Sequence, residues 1–154
     1  MPCRISILAI GRARGSPESE LARAYLARLP WPVATKEFEE RRRLTPGERR
    51  EREGALLLGG LPKGARLIAL DERGSSLTSQ AFAEHIGRWT GSGSGDLCFA
   101  IGGADGLSDS VRQRAEMLLS LGSMTWPHML VRLLLAEQLY RAHTILAGHP
   151  YHRA

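Results

Sequence analysis

Two glycine-rich loops in the second half of the chain have the residue types expected of a small-ligand site. The first loop follows the apolar run Leu97–Ile101 and contains Gly102, Gly103 and Gly106. The second loop, within residues 119–128, combines small residues with a proline: Gly122, Ser123, Thr125 and Pro127. Glycine lets the backbone approach a ligand closely, and open parallel sheets bind ligands beyond the carboxyl ends of their strands. The loops are predicted to close around a small planar ligand, although a simple turn remains the alternative.

Two cationic groups lie near the start of the predicted last helix. His128 and Arg132 are one turn apart there, where the helix dipole disfavours positive charge. This placement favours a nearby anion or backbone carbonyl, and pairing of Arg132 with a carboxylate at the edge of the core is the alternative. The chain then ends with Tyr151, His152 and Arg153, a set suited to stacking on a base and holding a phosphate.

Several other kinds of site lack support in the sequence. The first strand is not followed by Gly-x-Gly-x-x-Gly, and there is no Gly-Lys-Ser/Thr motif. There is no Cys-x-x-Cys, and His149 and His152 alone are a weak basis for zinc, so no metal is expected. Ser123 lacks the context of a nucleophile elbow. A ligand held by backbone loops is favoured.

The composition is that of an ordinary globular protein. The 154 residues fit one domain, residues 1–154. No apolar run reaches the ~18–20 residues that a membrane span needs, so no membrane partner is expected. Cys3 and Cys98 lie in apolar, strand-like runs, which predicts buried free thiols and a reducing, cytoplasmic location. The net charge of +5 fits a polyanionic partner and equally a basic solvated surface.

Strand and helix patterns alternate along the whole chain. Strands are predicted at residues 4–11, 33–38, 66–70, 96–101 and 123–126, with a polar turn at 71–74 after the third strand. Helices are predicted to begin near Pro17, Pro46, Ser79, Asp109 and His128, and the fourth helix is predicted to include residues 117 and 118. The pattern predicts an α/β fold, a mostly parallel sheet flanked by helices. The last helix is apolar most of the way round, which predicts cover on two sides and possible use as a subunit interface.

Four segments together resemble a known family. Residues 99–107 (FAIGGADGL), 119–128 (LSLGSMTWPH), 137–142 (EQLYRA) and 150–153 (PYHR) occur in this order. They closely resemble the small SPOUT-superfamily enzymes that methylate N3 of a pseudouridine in large-subunit ribosomal RNA, and the resemblance covers the whole chain. Gly122 departs from the family, which often has serine there, and His143 replaces a more usual aromatic residue.

The resemblance implies a SPOUT fold with a C-terminal trefoil knot, a homodimer, S-adenosylmethionine as methyl donor, and ribosomal RNA of the large subunit as partner. By position, the implied donor-binding residues are Leu70, Gly103, Gly122, Ser123, Met124, Thr125, Trp126 and Pro127. The implied RNA-binding residues are Arg132, Tyr151, His152 and Arg153. We expect His152 to act as a base or proton relay and Arg132 to stabilise negative charge, with the tail completing the partner's site.

Three alternatives to this function remain open from the sequence. The first is a SPOUT methyltransferase that acts on another nucleotide. The second is an RNA- or ribosome-binding protein that keeps the fold without catalysis. The third is a generic metabolite-binding α/β protein.

Overall fold

Five parallel strands form the centre of the molecule. The computed structural model describes residues 3–91, 93 and 95–152. The strands are β1 (Ile5–Ile10), β2 (Val33–Phe38), β3 (Arg66–Ser76), β4 (Leu97–Ile101) and β5 (Met117–Ser120), in the order β2-β1-β4-β3-β5. Each of the four pairings between neighbouring strands is parallel. The predicted α/β fold with a parallel sheet flanked by helices is confirmed.

The helices begin where the sequence predicts. They are α1 (Pro17–Leu26), α2 (Pro46–Gly60), α3 (Ser79–Gly91), α4 (Asp109–Arg114) and α5 (His128–Ala147), followed by a 3-10 turn (Pro150–His152). Ser16, Thr45 and Ser108 cap α1, α2 and α4 through their hydroxyl groups, which satisfies amide groups that the helix itself leaves unpaired. No helix in the described part of the chain is both long and apolar enough to span a bilayer.

Two apolar layers cover the two faces of the sheet. On one side, α3 and α5 contribute to a layer that includes Ile5, Ile7, Ile68, Phe99, Leu135 and Leu139. On the other side, α2 and α4 contribute to a layer that includes Leu8, Leu57, Leu67, Cys98 and Val111. Burial on both faces explains why the central strands read as continuous apolar runs. Cys3 and Cys98 are buried free thiols, as predicted.

The predicted position of the fifth strand is wrong. The strand is Met117–Ser120, and residues 123–126 form a loop. The fourth helix ends at Arg114, because Ala115 adopts extended backbone (ψ 136°) and the Glu116 amide donates to the Leu67 carbonyl (2.8 Å) at the start of the β3–β5 ladder. A short apolar run does not distinguish helix from strand by its period, so tertiary pairing decided the outcome here.

The predicted polar turn at residues 71–74 is also wrong, because β3 continues to Ser76. Leu70 and Ser75 both pair with Leu119, so the four residues between them bulge out of the ladder. Gly74 packs on the β5 backbone, where a Cβ would lie 2.5 Å from the Leu118 carbonyl oxygen. The bulge carries Asp71, Glu72 and Arg73 to the edge of the sheet where the glycine loops lie.

Candidate functional site

A cavity of about 860 Å³ lies at the carboxyl edge of the sheet, where β3, β4 and β5 end and α5 begins. Open parallel sheets bind their ligands at this edge. All of the residues predicted to bind the donor, with the exception of Ser123, line the cavity: Leu70, Gly103, Gly122, Met124, Thr125, Trp126 and Pro127. The structure therefore brings the two glycine loops together, as the sequence analysis expected. Ser123 belongs to the second loop without lining the cavity.

The first loop, residues 102–107, is a tight turn. The Gly106 amide donates to the Gly103 carbonyl (3.1 Å), and Gly106 has φ +83°, a backbone conformation that favours glycine. A Cβ on Gly102 would lie 3.1 Å from the Gly106 carbonyl oxygen. Arg50 of α2, which also lines the cavity, donates from Nη1 to the Asp105 carbonyl (3.3 Å). The close packing presents main-chain groups, rather than side chains, to this wall of the cavity.

The second loop, residues 121–127, is fixed near its start. The Ser120 hydroxyl donates to the Gly122 carbonyl (2.9 Å) and accepts from the Gly122 amide (3.1 Å). Gly122 has φ +115°, so the serine common in the family would be strained in this conformation. Met124 and Trp126 are 72% and 41% exposed, although both line the cavity. The loop thus offers an apolar surface around a rigid turn.

A buried carboxylate lies on the β3 side of the cavity. Asp71 accepts from Arg112 Nε (2.6 Å) and from the Arg73 amide (2.9 Å). Burial alone would raise the pKa of Asp71, but the hydrogen bonds from Arg112 and the Arg73 amide outweigh it and lower the pKa. The bulge of β3 also brings Glu72 close to the second loop, where Thr125 Oγ1 lies 3.4 Å from its carboxylate. Carboxylates and guanidinium groups therefore lie together on this side of the cavity, since Arg73 and Arg112 also line it.

Arg132 is enclosed at the edge of the core and does not belong to the lining of the cavity. Its guanidinium forms an ion pair with Glu37 and donates to the carbonyls of Ile10 (3.2 Å) and Gly11 (2.7 Å). The sequence left two kinds of partner open for Arg132, a backbone carbonyl and a carboxylate, and the structure contains both. Within the described part of the chain, Arg132 Nε has no hydrogen-bond partner. The predicted role of Arg132 in charge stabilisation and RNA binding stays a prediction, and the observed contacts join α5 to β1 and β2.

His128 is the imidazole that lines the cavity. Burial and the nearby charge of Arg132 lower the pKa of His128, so the neutral imidazole predominates near neutral pH. Gly11 leaves room for the ring, because a Cβ there would lie 3.3 Å from His128 Nε2. The sequence predicts His128 at the start of the last helix, whereas the predicted base is His152 of the tail.

Tyr151 and His152, the described part of the tail, do not line the cavity of their own chain. The Tyr151 hydroxyl lies 3.1 Å from Glu137 Oε1, and the Tyr151 ring packs 4.7 Å from the Tyr140 ring. Glu137 lies nine residues after His128, about 13 Å along the axis of α5. His152 follows in the same 3-10 turn, and Arg153 lies outside the described residues. His143, the second departure from the family, packs edge-on against Trp31 (5.8 Å).

Three acidic residues in and around the site were not predicted to be functional. They are Asp71, Glu37, which holds Arg132, and Glu53 of α2. Of the three, only Asp71 could have been identified from the sequence, because it directly follows the apolar run that forms the start of β3. In the part of the chain that the structure describes, no three His, Cys, Asp or Glu side chains form a group able to hold a metal ion.

A match to a known protein family shows to which family the chain belongs. The family model described as "Predicted SPOUT methyltransferase" matches residues 3–152. The chain belongs to the SPOUT methyltransferase family. This SPOUT protein is 55% identical over 151 residues to the ribosomal RNA large subunit methyltransferase H of Rhodospirillum centenum, covering 98% of this chain and 99% of the relative. The protein of the same name from Paramagnetospirillum magneticum is 55% identical over 150 residues, covering 97% and 99%.

Solved structures share the fold at low sequence identity. A probable methylase family protein from Haemophilus influenzae has a TM-score of 0.57 at 10% identity, covering 100% of this chain and 72% of that one. The SpoU methyltransferase AviRb from Streptomyces viridochromogenes has a TM-score of 0.52 at 14% identity, covering 97% and 62%. A second structure of AviRb contains the cofactor AdoMet, with a TM-score of 0.50 at 14% identity and coverage of 92% and 58%.

Proposed function

We propose that this SPOUT methyltransferase transfers a methyl group from S-adenosylmethionine to N3 of a pseudouridine in large-subunit ribosomal RNA. The observation that carries the proposal is the cavity at the carboxyl edge of the sheet, lined by the glycine loops that the family resemblance assigns to the donor. Relatives 55% identical over nearly the whole chain bear the name of a ribosomal RNA large subunit methyltransferase. The net charge of +5 is compatible with an RNA substrate.

The residues of the cavity fit S-adenosylmethionine. A volume of about 860 Å³ lies in the range usual for small-molecule sites. The backbone of Gly103 and Gly122 would hold the adenine, and the lining offers both carboxylates, Asp71 and Glu72, and guanidinium groups to the polar parts of the donor. When bound, the donor supplies an electrophilic methyl group on a sulfonium. The protein's contribution is to orient the donor, exclude water and present the nucleotide in line with that group.

Methylation at N3 requires the nucleotide to lose the N3 proton. We therefore expect a protein base near N3. Because N3 lies on the pairing edge, the nucleotide must be unpaired when it enters the site. His152 remains the proposed base or relay, acting from the partner subunit. His128 is the alternative within the same chain, because it lines the cavity and is neutral near pH 7. Arg132 and Arg153 are proposed to stabilise negative charge and hold phosphate.

The proposal includes a homodimer in which the tail of one chain completes the cavity of the other. Tyr151 and His152 pack on the second half of α5, about 13 Å from His128 along the helix axis. The α5 surface also leaves Leu130, Leu133 and Leu134 only partly buried and Leu146 47% exposed. An apolar helix surface of this kind favours a second layer of protein. The trefoil knot and the cytoplasmic location belong to the same proposal.

The test is transfer of labelled methyl to RNA, followed by mapping of the modified nucleotide. Purified protein and labelled S-adenosylmethionine are incubated with 70S ribosomes, isolated large subunits and protein-free ribosomal RNA, each from cells that lack the homologous enzyme. The expected result is label in large-subunit RNA, recovered after digestion as N3-methylpseudouridine. Label on another nucleotide would support a SPOUT enzyme of different specificity.

Calorimetry with S-adenosylmethionine separates the enzyme from a non-catalytic RNA-binding protein. The unmodified protein is expected to bind the donor. Gly103→Val is the matched control and is expected to bind it more weakly. A Cβ on Gly103 would lie 3.1 Å from a Glu53 carboxylate oxygen and 3.2 Å from Ile10 Cγ2, so the larger side chain must displace the loop. Retention on ribosomes without donor binding would contradict the proposed activity.

A further inference from the structure

Glu53 of α2 is a buried carboxyl group that the proposed reaction does not use. Its side chain lies in the body of the protein with only 6% of the residue exposed. Among the described residues, no hydrogen-bond partner is present for Oε1. An unsatisfied buried polar atom costs about 1–3 kcal/mol, so an apolar residue of the same volume would be expected here if packing alone mattered.

The Glu53 carboxyl group lies directly behind the wall of the cavity. A Cβ on Gly103 would lie 3.1 Å from Glu53 Oε1 and 3.2 Å from Oε2, so both oxygens face this glycine. Gly103 lines the cavity on its other side, whereas Glu53 does not line it. The carboxyl group therefore meets the first loop from the side opposite to the donor.

Two further contacts fit α2 to the same loop. Gly54, the next residue, packs on the Ser108 side chain so closely that a Cβ would lie 2.2 Å from Ser108 Oγ. Arg50 donates to the Asp105 carbonyl at 3.3 Å. The loop between β4 and α4 is thus held at three points, and Glu53 is the one whose side chain packs behind Gly103. Movement of α2 or loss of its side chains is expected to move the loop.

The protonation state of Glu53 depends on burial and on three charged neighbours. Burial raises the pKa of Glu53, Arg49 lowers it, and Asp105 and Glu40 raise it further. The net effect is a raised pKa, so the neutral acid persists to higher pH than for an exposed glutamate. A neutral carboxyl group carries an O–H donor as well as acceptor oxygens, which suits a contact with main-chain groups.

We propose that Glu53 is a positioning residue for the methyl donor: its carboxyl group supports Gly103 from behind and sets the distance between the first loop and the bound donor. The inference rests on the proposed function and deepens it. Glu53 has no contact with the reacting atoms and acts through the main chain of Gly103. Its removal frees space behind the loop, and the donor then loses a preformed wall.

The experiment compares donor affinity in four proteins: the unmodified chain, Glu53→Ala, Glu53→Gln and Leu57→Ala. Leu57 is the matched control, because it is buried on the same helix, one turn further on, in the layer against the sheet. At a pH below the raised pKa of Glu53, Glu53→Ala is expected to raise the donor dissociation constant about tenfold, whereas Glu53→Gln and Leu57→Ala stay near the unmodified value. The KM for the donor follows the dissociation constant, while kcat at saturating donor changes little.

Two results would overturn the inference. One is unchanged donor affinity in folded Glu53→Ala, and the other is an equal loss of affinity in Leu57→Ala, which would indicate general destabilisation. If Glu53→Ala does not fold, the test compares the pH dependence of donor affinity in Glu53→Gln and in the unmodified protein. The affinity of the unmodified protein is expected to fall relative to Glu53→Gln as the pH rises through the raised pKa of Glu53, and parallel curves would count against a positioning role.

The same measurements distinguish this inference from the proposed function. Donor binding by the unmodified protein, with all variants unaffected, would overturn the role of Glu53 alone. Failure of the unmodified protein to bind S-adenosylmethionine would overturn the proposed function and the inference together.

Discussion

Replacing Glu37 by glutamine tests whether the enclosed ion pair with Arg132 holds the frame of the site. Arg132 is only 8% exposed, and its guanidinium reaches Glu37 and the carbonyls of Ile10 and Gly11. Glu37 also accepts from the Ala13 amide (2.8 Å). These contacts join the start of α5, which lines the cavity, to the ends of β1 and β2. Glu37→Gln keeps the shape but leaves the buried guanidinium without its counter-ion.

The expected loss of stability follows from the burial of the pair. Removing one partner of a fully buried ion pair costs about 3–5 kcal/mol. The Glu37 side chain is 24% exposed, and solvent screening reduces the value, so we expect about 2 kcal/mol. The remaining hydrogen bonds to Ile10 and Gly11 limit the loss further, since the guanidinium keeps two of its acceptors.

The pH dependence of stability has a definite sign. Burial alone would raise the pKa of Glu37, but the hydrogen bonds from Arg132 and the Ala13 amide and the charges of Arg132 and Arg12 outweigh it and lower the pKa. The folded pKa therefore lies below the unfolded one, and the stabilisation is present above the unfolded pKa. It is lost as the pH falls through the folded pKa, and Glu37→Gln should lack this component.

The assay is equilibrium urea unfolding at fixed protein concentration, from neutral pH down to about pH 3. Glu20→Gln is the control, because Glu20 forms an exposed pair with Arg23 (3.7 Å) and its loss is expected to change stability by less than about 0.5 kcal/mol. The reasoning would be refuted if Glu37→Gln and the unmodified protein had equal unfolding free energies at neutral pH. A Glu37→Gln/Arg132→Met protein is expected to recover part of the loss, since it removes the unpaired charge.

Other predictions concern the cavity and the tail. Gly122→Ser is expected to lose about 1–2 kcal/mol of stability, because φ is +115° there. Thermal unfolding measures this loss, and an unchanged unfolding midpoint would show that the turn adapts. Asp71→Asn is expected to weaken donor binding in calorimetry about tenfold, because Arg112 loses its charged partner beside the cavity; unchanged affinity would exclude a role for this carboxylate. Equal mixing and refolding of His152→Ala and Gly103→Val chains is expected to restore about a quarter of the methyl-transfer activity, since half of the dimers are mixed and each has one complete site. No recovery would contradict a tail that acts in the partner's cavity.

Local signals in the sequence predicted the elements that depend on neighbouring residues. The helices α1, α2 and α4 begin where predicted, and the hydroxyl groups of Ser16, Thr45 and Ser108 cap them, because a cap involves residues only two or three positions apart. The strand Met117–Ser120 was missed, since its identity depends on pairing with β3, about fifty residues earlier in the chain. The bulge at residues 71–74 was missed for the same reason.

The cavity itself could be predicted from its glycine loops, but the charged frame around it could not. Gly103 and Gly122 lie two residues after the ends of β4 and β5, and the carboxyl ends of parallel strands meet at one edge. Arg132 and Glu37 are 95 positions apart, and nothing in their spacing selects one glutamate among those in the sequence. Glu53 lies in a segment dense in charge that reads as a solvated helix face, yet the fold buries it against Gly103.

The position of the tail constrains how the complete site can form. Tyr151 is tied to Glu137, and Arg141 pairs with the same carboxylate at 2.6 Å, so the 3-10 turn is anchored to the half of α5 that points away from the cavity. Reaching the cavity of its own chain would require breaking these contacts and moving about 13 Å along the helix. In a two-fold dimer that packs α5 against α5 in opposite directions, the second half of one helix lies beside the first half of the other. In the proposed dimer, the anchored tail would then lie beside the partner's cavity, so we expect its contacts with α5 to persist when it acts there.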